Sequence, residues 1–161
     1  GLMNGTSGSA FSPLENLTRA QLTAVLYRMD GNPAVSGTCS FTDAKRGAYY
    51  ADALVWAERN ALVNGYGSGA FGVGDAITRE QLVTILYRYA AYKGIDVSAR
   101  ADLSGYRDAE KISGYARDAF GWAVEAGLIR GSGDLLNPQG RTTRAEYAAI
   151  AARFHKTFIA K

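Results

Sequence analysis

Three copies of one short pattern constrain this chain more than any other feature. Thr18-Arg19-Ala20-Gln21-Leu22, Thr78-Arg79-Glu80-Gln81-Leu82 and Thr143-Arg144-Ala145-Glu146-Tyr147 recur with their Thr-Arg pairs 60 and 65 residues apart. Each is preceded by a glycine-containing stretch: Leu2-Met3-Asn4-Gly5, Leu62-Val63-Asn64-Gly65 and Leu128-Ile129-Arg130-Gly131. Each is followed, nine residues after its first arginine, by another: Arg28, Arg88 and Arg153. A unit repeated at this spacing cannot bury its apolar side alone, so its copies must share a core.

We call this turn-plus-helix unit B. A second unit, A, lies twice between the copies of B. Phe41-Thr42-Asp43-Ala44 leads into Asp52-Ala53-Leu54-Val55-Trp56-Ala57, and Tyr106-Arg107-Asp108-Ala109 leads into Asp118-Ala119-Phe120-Gly121-Trp122-Ala123. The order B, A, B, A, B makes two and a half repeats of an A-plus-B unit. Residues 1–161 read as one domain, with 1–30 the second half of a first repeat, 41–94 the second repeat and 106–161 the third. Stretches 31–40 and 94–105 read as connectors inside it. A first A unit is absent from this sequence. The face of the first B helix that it would cover is expected to meet another segment or a second copy of the chain.

Local chemistry makes both units helical. Thr18, Thr78 and Thr143 suit the N-cap, where a side-chain oxygen accepts from the free N–H groups of the first turn. Gln21, Gln81 and Glu146, three residues on, complete a capping box. Apolar residues then follow at helical spacing: Leu22, Val25, Leu26 and Met29; Leu82, Ile85, Leu86 and Tyr89; Tyr147, Ile150, Ala151 and Phe154. Gly31 and Gly94 suit left-handed C-caps. In the A units, Ala53, Trp56 and Ala57 share one helix face, as do Ala119, Trp122 and Ala123. The predicted class is all-α, with short extended backbone at most around Phe71-Gly72-Val73.

Composition removes several functional classes. Hydrophobic residues are 47% and charged residues 20% of the 161, an ordinary globular balance. No run approaches the ~18 apolar residues of a membrane span, and the first residues lack a secretory signal, which is expected to have been removed or to lie elsewhere if the protein is exported. A net charge of +3 without a basic block gives nucleic-acid binding little support. The single cysteine, Cys39, excludes an internal disulfide, and no Cys/His cluster, calcium loop, phosphate loop or nucleophile elbow is present. The chain reads as a binding module rather than an enzyme, with no metal or cofactor implied.

The Thr-Arg-Ala-Glu-type signature, the Phe-x-Asp start, the tryptophan helices and the glycine loops, five units in order, resemble the S-layer homology family across essentially the whole chain. The chain departs from that family in having Gln at 21 and 81, Glu at 80 and Phe71-Gly72-Val73 where a Phe-x-Pro turn is usual. The resemblance implies a pseudo-threefold helical prism that sits outside the cell. It also implies non-covalent anchoring to the bacterial cell wall or S-layer through a secondary cell-wall polysaccharide, often pyruvylated. A protein-interaction role on the same scaffold, with a receptor or a second copy, is the alternative, because one fold hosts many functions.

A pyruvyl ketal carries a carboxylate, and a guanidinium at a helix N-terminus is its natural reader. That makes Arg19, Arg79 and Arg144 the leading ligand-binding candidates, or else solvated or ion-paired residues. Replacing Arg79 or Arg144 by alanine is expected to weaken wall binding with little change in thermal stability. Gly65, Gly67, Gly131 and Gly133 either turn the chain or bring backbone N–H groups to a sugar. Asp43 and Asp108 read as turn caps, as acceptors from sugar hydroxyls or as orienters of the arginines. Trp56 and Trp122 read as core, with stacking on a sugar as the second role. Arg28, Arg88 and Arg153 read as structural ion pairs or a solvated face.

Overall fold

The computed structural model describes residues 12–160, in which five α-helices carry the architecture. They are α1 (Arg19–Met29), α2 (Ala51–Arg59), α3 (Arg79–Tyr92), α4 (Arg117–Glu125) and α5 (Arg144–Phe154). The loop Gly5-Thr6-Ser7-Gly8 and Phe11 of the first B unit lie outside the described residues.

The three B helices begin where their caps predict. Thr18, Thr78 and Thr143 each accept from the backbone N–H three residues on, and Gln21, Gln81 and Glu146 each reach back to the cap's own N–H, so all three capping boxes are complete. Gly31 and Gly94 follow the ends of α1 and α3 at φ +84° and +73°, conformations glycine adopts without a Cβ penalty. Without such a glycine, α5 continues into a π-type turn, His155–Ile159, whose Phe158 stacks on Trp122 at 5.9 Å between ring centres.

Three isolated β-bridges tie the starts of the B helices together. The Leu17 N–H donates to the Thr142 carbonyl at 2.8 Å, Thr142 to Ile77 at 3.0 Å, and Ile77 to Leu17 at 2.9 Å, closing a ring of three backbone hydrogen bonds. A second set runs in the opposite rotation. Arg19 N–H donates to Asp75, Arg79 N–H to Gly140, and Arg144 N–H to Glu15, at 2.9–3.0 Å. Each helix thereby satisfies a first-turn donor on the loop of the next unit. Among the described residues, extended pairing is limited to these bridges and Ser132↔Leu135; no strand forms at Phe71-Gly72-Val73.

Below this ring the B helices turn their apolar faces inward. Leu22, Leu26, Leu82, Leu86, Tyr147, Ile150 and Phe154 are at most 3% exposed and join one core cluster that also takes in α2 and α4. Met29 and Ala151 pack against it from its partly exposed edge. The A helices clad the outside of this arrangement, α2 against α1 and α4 against α3. Gly121 lets the connector cross α4 closely, because a Cβ there would stand 2.9 Å from Arg100 Cδ.

The structure moves the open face. The expectation was that α1 would be uncovered. Instead, α2 covers it, and Ala20, Thr23 and Ala24 are at most 3% exposed. The helix whose outer side faces solvent is α5, at Ala145, Ala149 and Ala152. Units pair forward along the chain, so the last B helix is the one for which no cladding helix appears among the described residues.

Candidate functional site

Each A unit opens with an aromatic residue and an aspartate that serve the following loop. Asp43 accepts from the N–H groups of Phe71, Gly72 and Val73 at 2.6, 2.8 and 2.9 Å. Asp108 accepts from Leu136 and Asn137 at 2.8 and 2.7 Å. Both are therefore caps, of a loop about thirty residues downstream and not of their own turn. Burial by itself pushes each carboxyl up, but these N–H donors outweigh it and hold both below the usual carboxylate value. Phe41 and Tyr106 lie under the glycines that start those loops. A Cβ on Gly65 would stand 2.8 Å from the Ala70 carbonyl and 2.9 Å from Phe41 Cε1, and one on Gly131 2.8 Å from Tyr106 Cε1. Gly67 and Gly133 have open space instead, Gly133 at φ +60°.

The repeated arginines then reach across from the previous B helix. Arg19 Nε donates to the Phe71 carbonyl at 2.8 Å and its terminal nitrogen to the Asn64 carbonyl at 2.9 Å. Arg79 does the same one repeat later, to Leu136 at 2.8 Å and Arg130 at 3.3 Å. Arg19 is also held over the rings of Phe71 and Tyr66, at 4.5 and 4.9 Å. Burial pulls both guanidinium groups below their ordinary value, an effect offset in part by Tyr66 and Asp75 for Arg19 and by Glu146 and Asp108 for Arg79. Arg144 is buried to 3% exposure, and Asn4 and Phe11, the sequence counterparts of the residues whose carbonyls accept these bonds, lie outside the described residues. The Arg79 side chain holds two loop carbonyls, bonds that truncation to alanine would remove.

Two register-equivalent grooves lie beside these arginines. The first, of about 250 Å³, is walled by Arg19, Asn64, Tyr66, Gln81, Arg88 and Tyr115. The second, of about 200 Å³, is walled by Arg79, Ile129, Arg130, Glu146, Ile150 and Arg153. Arg88 makes no hydrogen bond or ion pair among the described residues, and Arg153 donates to the Leu128 carbonyl at 2.9 Å. Of the two readings for them, structural ion pairs or a solvated face, no ion pair forms for either among the described residues. Each shares a groove with the arginine of the preceding B helix, Arg88 with Arg19 and Arg153 with Arg79, a pairing that the nine-residue spacing within one helix does not show. Tyr115 has a different origin. It is held over the first groove by its hydroxyl, which donates to Glu80 at 3.0 Å; desolvation and that bond push it up to about 12.

The tryptophans are elsewhere. Trp56 and Trp122 are each 2% exposed in the core, edge-on to Tyr89 and Tyr87 respectively. Among the described residues no group of three or more His, Cys, Asp or Glu could hold a metal ion, and no helix is long and apolar enough to cross a membrane.

Capped helices in cyclic register, with Arg19 and Arg79 each locked into the next unit's glycine loop, define a helical repeat module with surface grooves. The S-layer homology domain matches residues 40–83 and 105–148, and the chain belongs to that family. It is 33% identical over 150 residues to an endoglucanase of Bacillus sp. (strain KSM-635), covering 92% of this chain and 16% of the enzyme. It is 27% identical over 157 residues to the surface-layer 125 kDa protein of Lysinibacillus sphaericus, covering 95% of this chain and 13% of that one. It is 27% identical over 162 residues to a cellulosome-anchoring protein of Acetivibrio thermocellus, covering 94% and 34%. The chain thus spans a small fraction of these relatives' length. Family and relatives assign it an extracellular, wall-associated location.

Proposed function

We propose that this module anchors a protein non-covalently to the bacterial cell surface by binding an acidic secondary cell-wall polysaccharide, a pyruvylated sugar being the ligand chemistry that fits best. The observation that carries the reading is the Arg88 guanidinium, unpaired among the described residues, lining a groove beside the buried cation of Arg19. A carboxylate entering there meets a bidentate donor and the field of a second cation. Tyr66 and Tyr115 offer ring faces for a sugar.

In this reading Arg88 and Arg153 touch the ligand, while Arg19, Arg79 and Arg144 build the groove floor. Asp43 and Asp108 hold the loops, Gly65 and Gly131 admit their close packing, Gly67 and Gly133 leave the loop rim open, and Trp56 and Trp122 serve the core. The two bonded rings at Leu17, Ile77 and Thr142 and at Arg19, Arg79 and Arg144 support a pseudo-threefold prism built from repeats at 41–94 and 106–161 with a half-repeat at 1–30. The catalytic names among the relatives are assigned to the remaining, larger parts of those proteins.

Sedimentation with purified cell walls, before and after extraction of the polymer, tests the proposal. Binding is expected to the untreated walls, to be lost on extraction and to be weakened by Arg88→Ala. Retention on extracted walls would favour a protein partner.

A further inference from the structure

Glu80 is a charged residue in the interior. It is 4% exposed, and its carboxylate forms no ion pair among the described residues. Ala20 and Ala145 stand at the same position in the other two B units, so the helix start does not need a carboxylate there. A buried carboxylate is tolerated only where donors replace its water. The A unit that carries α4 supplies them. The Ser113 N–H donates to Glu80 at 3.0 Å, the Ser113 hydroxyl at 2.9 Å and the Tyr115 hydroxyl at 3.0 Å.

The two Ser113 bonds would pin that unit by themselves. The third bond has a different consequence. Tyr115 lies in the single turn Gly114–Ala116, is 57% exposed and pairs with no other ring among the described residues. Its one side-chain hydrogen bond among the described residues is to Glu80, and in that position it walls the Arg19 groove. Tyr66, the other tyrosine of that wall, is held independently. Its hydroxyl donates to Asp75 at 2.9 Å, and the Arg19 guanidinium lies 4.9 Å from its ring centre. An exposed ring without a tether samples several rotamers, and a ligand that stacks on it must first order it.

We propose that Glu80 is a positioning residue of the glycan site: its carboxylate fixes the Tyr115 ring before the ligand arrives, so that the Arg19 groove selects an acidic sugar that also presents an apolar ring face. Arg88 reads the charge and Tyr115 reads the face. The Arg79 groove has neither part of the device. Ala145 stands in place of Glu80, and no tyrosine among the described residues walls that groove. The inference rests on the carbohydrate reading above and adds to it a residue that never touches the sugar.

The test is calorimetric binding of soluble fragments of a pyruvylated wall polysaccharide to the full chain and its variants, at two salt concentrations. Glu80→Ala and Tyr115→Phe remove the acceptor and the donor of one bond. Each should weaken binding about three- to tenfold, the range for ordering one side chain, and the double variant should be no weaker than either. Tyr115→Phe leaves both Ser113 bonds in place, so it reports on the tether even where Glu80→Ala unfolds the chain. Glu80→Gln should bind like the unaltered chain, because its amide still accepts from the Ser113 N–H and donates to the two hydroxyls. The loss at Glu80→Ala should be equal at both salt concentrations, whereas the loss at Arg88→Ala should shrink as salt rises. Additive losses, tighter binding by Glu80→Ala or a salt-dependent loss there would each overturn the proposal, since they mark a charge or packing effect and not a held ring. In the free protein, the 3-fluorotyrosine signal of residue 115, assigned by its absence from Tyr115→Phe, should shift in Glu80→Ala. An unmoved signal would overturn the proposal without any glycan present. Failure of the unaltered chain to bind the fragments would sink the carbohydrate reading itself, and this inference with it.

Discussion

Asp43 stands 29 residues ahead of Gly72 and accepts its N–H at 2.8 Å, and Asp108 stands in the same relation to Asn137 at 2.7 Å. One carboxylate per repeat thus fixes the loop that the previous repeat's arginine grips from the other side. Loop geometry, and with it groove shape, depends on this pair of grips.

Asp108→Asn should therefore destabilise the protein at neutral pH and much less in acid. The folded carboxyl lies below its ordinary value, so its contribution is present above the unfolded value of about 4 and disappears as pH falls through the folded one. Urea unfolding of both proteins at several pH values checks this: the gap in stability should be largest near pH 7 and narrow steadily below pH ~4. A gap independent of pH would mean that shape, not charge, holds the loop.

The two kinds of loop glycine should separate cleanly. Gly131→Ala drives a methyl to 2.8 Å from Tyr106 Cε1 and 3.0 Å from the Leu135 carbonyl, whereas a Cβ at Gly67 meets nothing within 4 Å. Overpacking of this kind typically costs ~1–3 kcal/mol, and in a chain this size each kcal/mol moves Tm by roughly 2–4 °C. Thermal unfolding should show that loss for Gly131→Ala and essentially none for Gly67→Ala.

Sequence spacing made the helices legible because their signals are local: a hydroxyl at the cap, an amide or carboxylate three residues on, and apolar residues at helical period. The roles of the arginines were not legible in the same way. Arg19 looks like a surface cation at a helix start, and only the approach of Asn64 and Phe71 from 45 and 52 residues away makes it a loop clamp. The same holds for Tyr115, whose place over the groove depends on Glu80, a residue that reads as a departure from its own repeat. Which B helix lies open was also a tertiary fact, set by each A unit packing on the B helix before it.

Arg88 and Arg19 should consequently differ in what their loss does. Arg88→Ala removes a side chain without a bonded partner among the described residues and should leave Tm within about 1 °C while reducing wall sedimentation at least about tenfold. Arg19→Ala strips donors from two carbonyls and should cost on the order of 2 kcal/mol. Equal melting losses for the two would remove the distinction between reader and clamp.

The central ring of hydrogen bonds offers the last test. Leu17, Ile77 and Thr142 occupy its three equivalent positions, and all three side chains are 0% exposed. Two are apolar; Thr142 alone brings a hydroxyl, and its oxygen has no hydrogen-bond partner. A buried, unbonded hydroxyl carries a desolvation cost of roughly 1–3 kcal/mol, which a shape-matched methyl removes. The backbone bonds of the ring do not involve the side chain, so Thr142→Val should keep them intact and raise stability by about 1 kcal/mol. Chemical denaturation with an unchanged slope and a higher midpoint is the expected outcome. A lower midpoint would show that the hydroxyl is bonded in solution and that the ring's third corner differs from the other two.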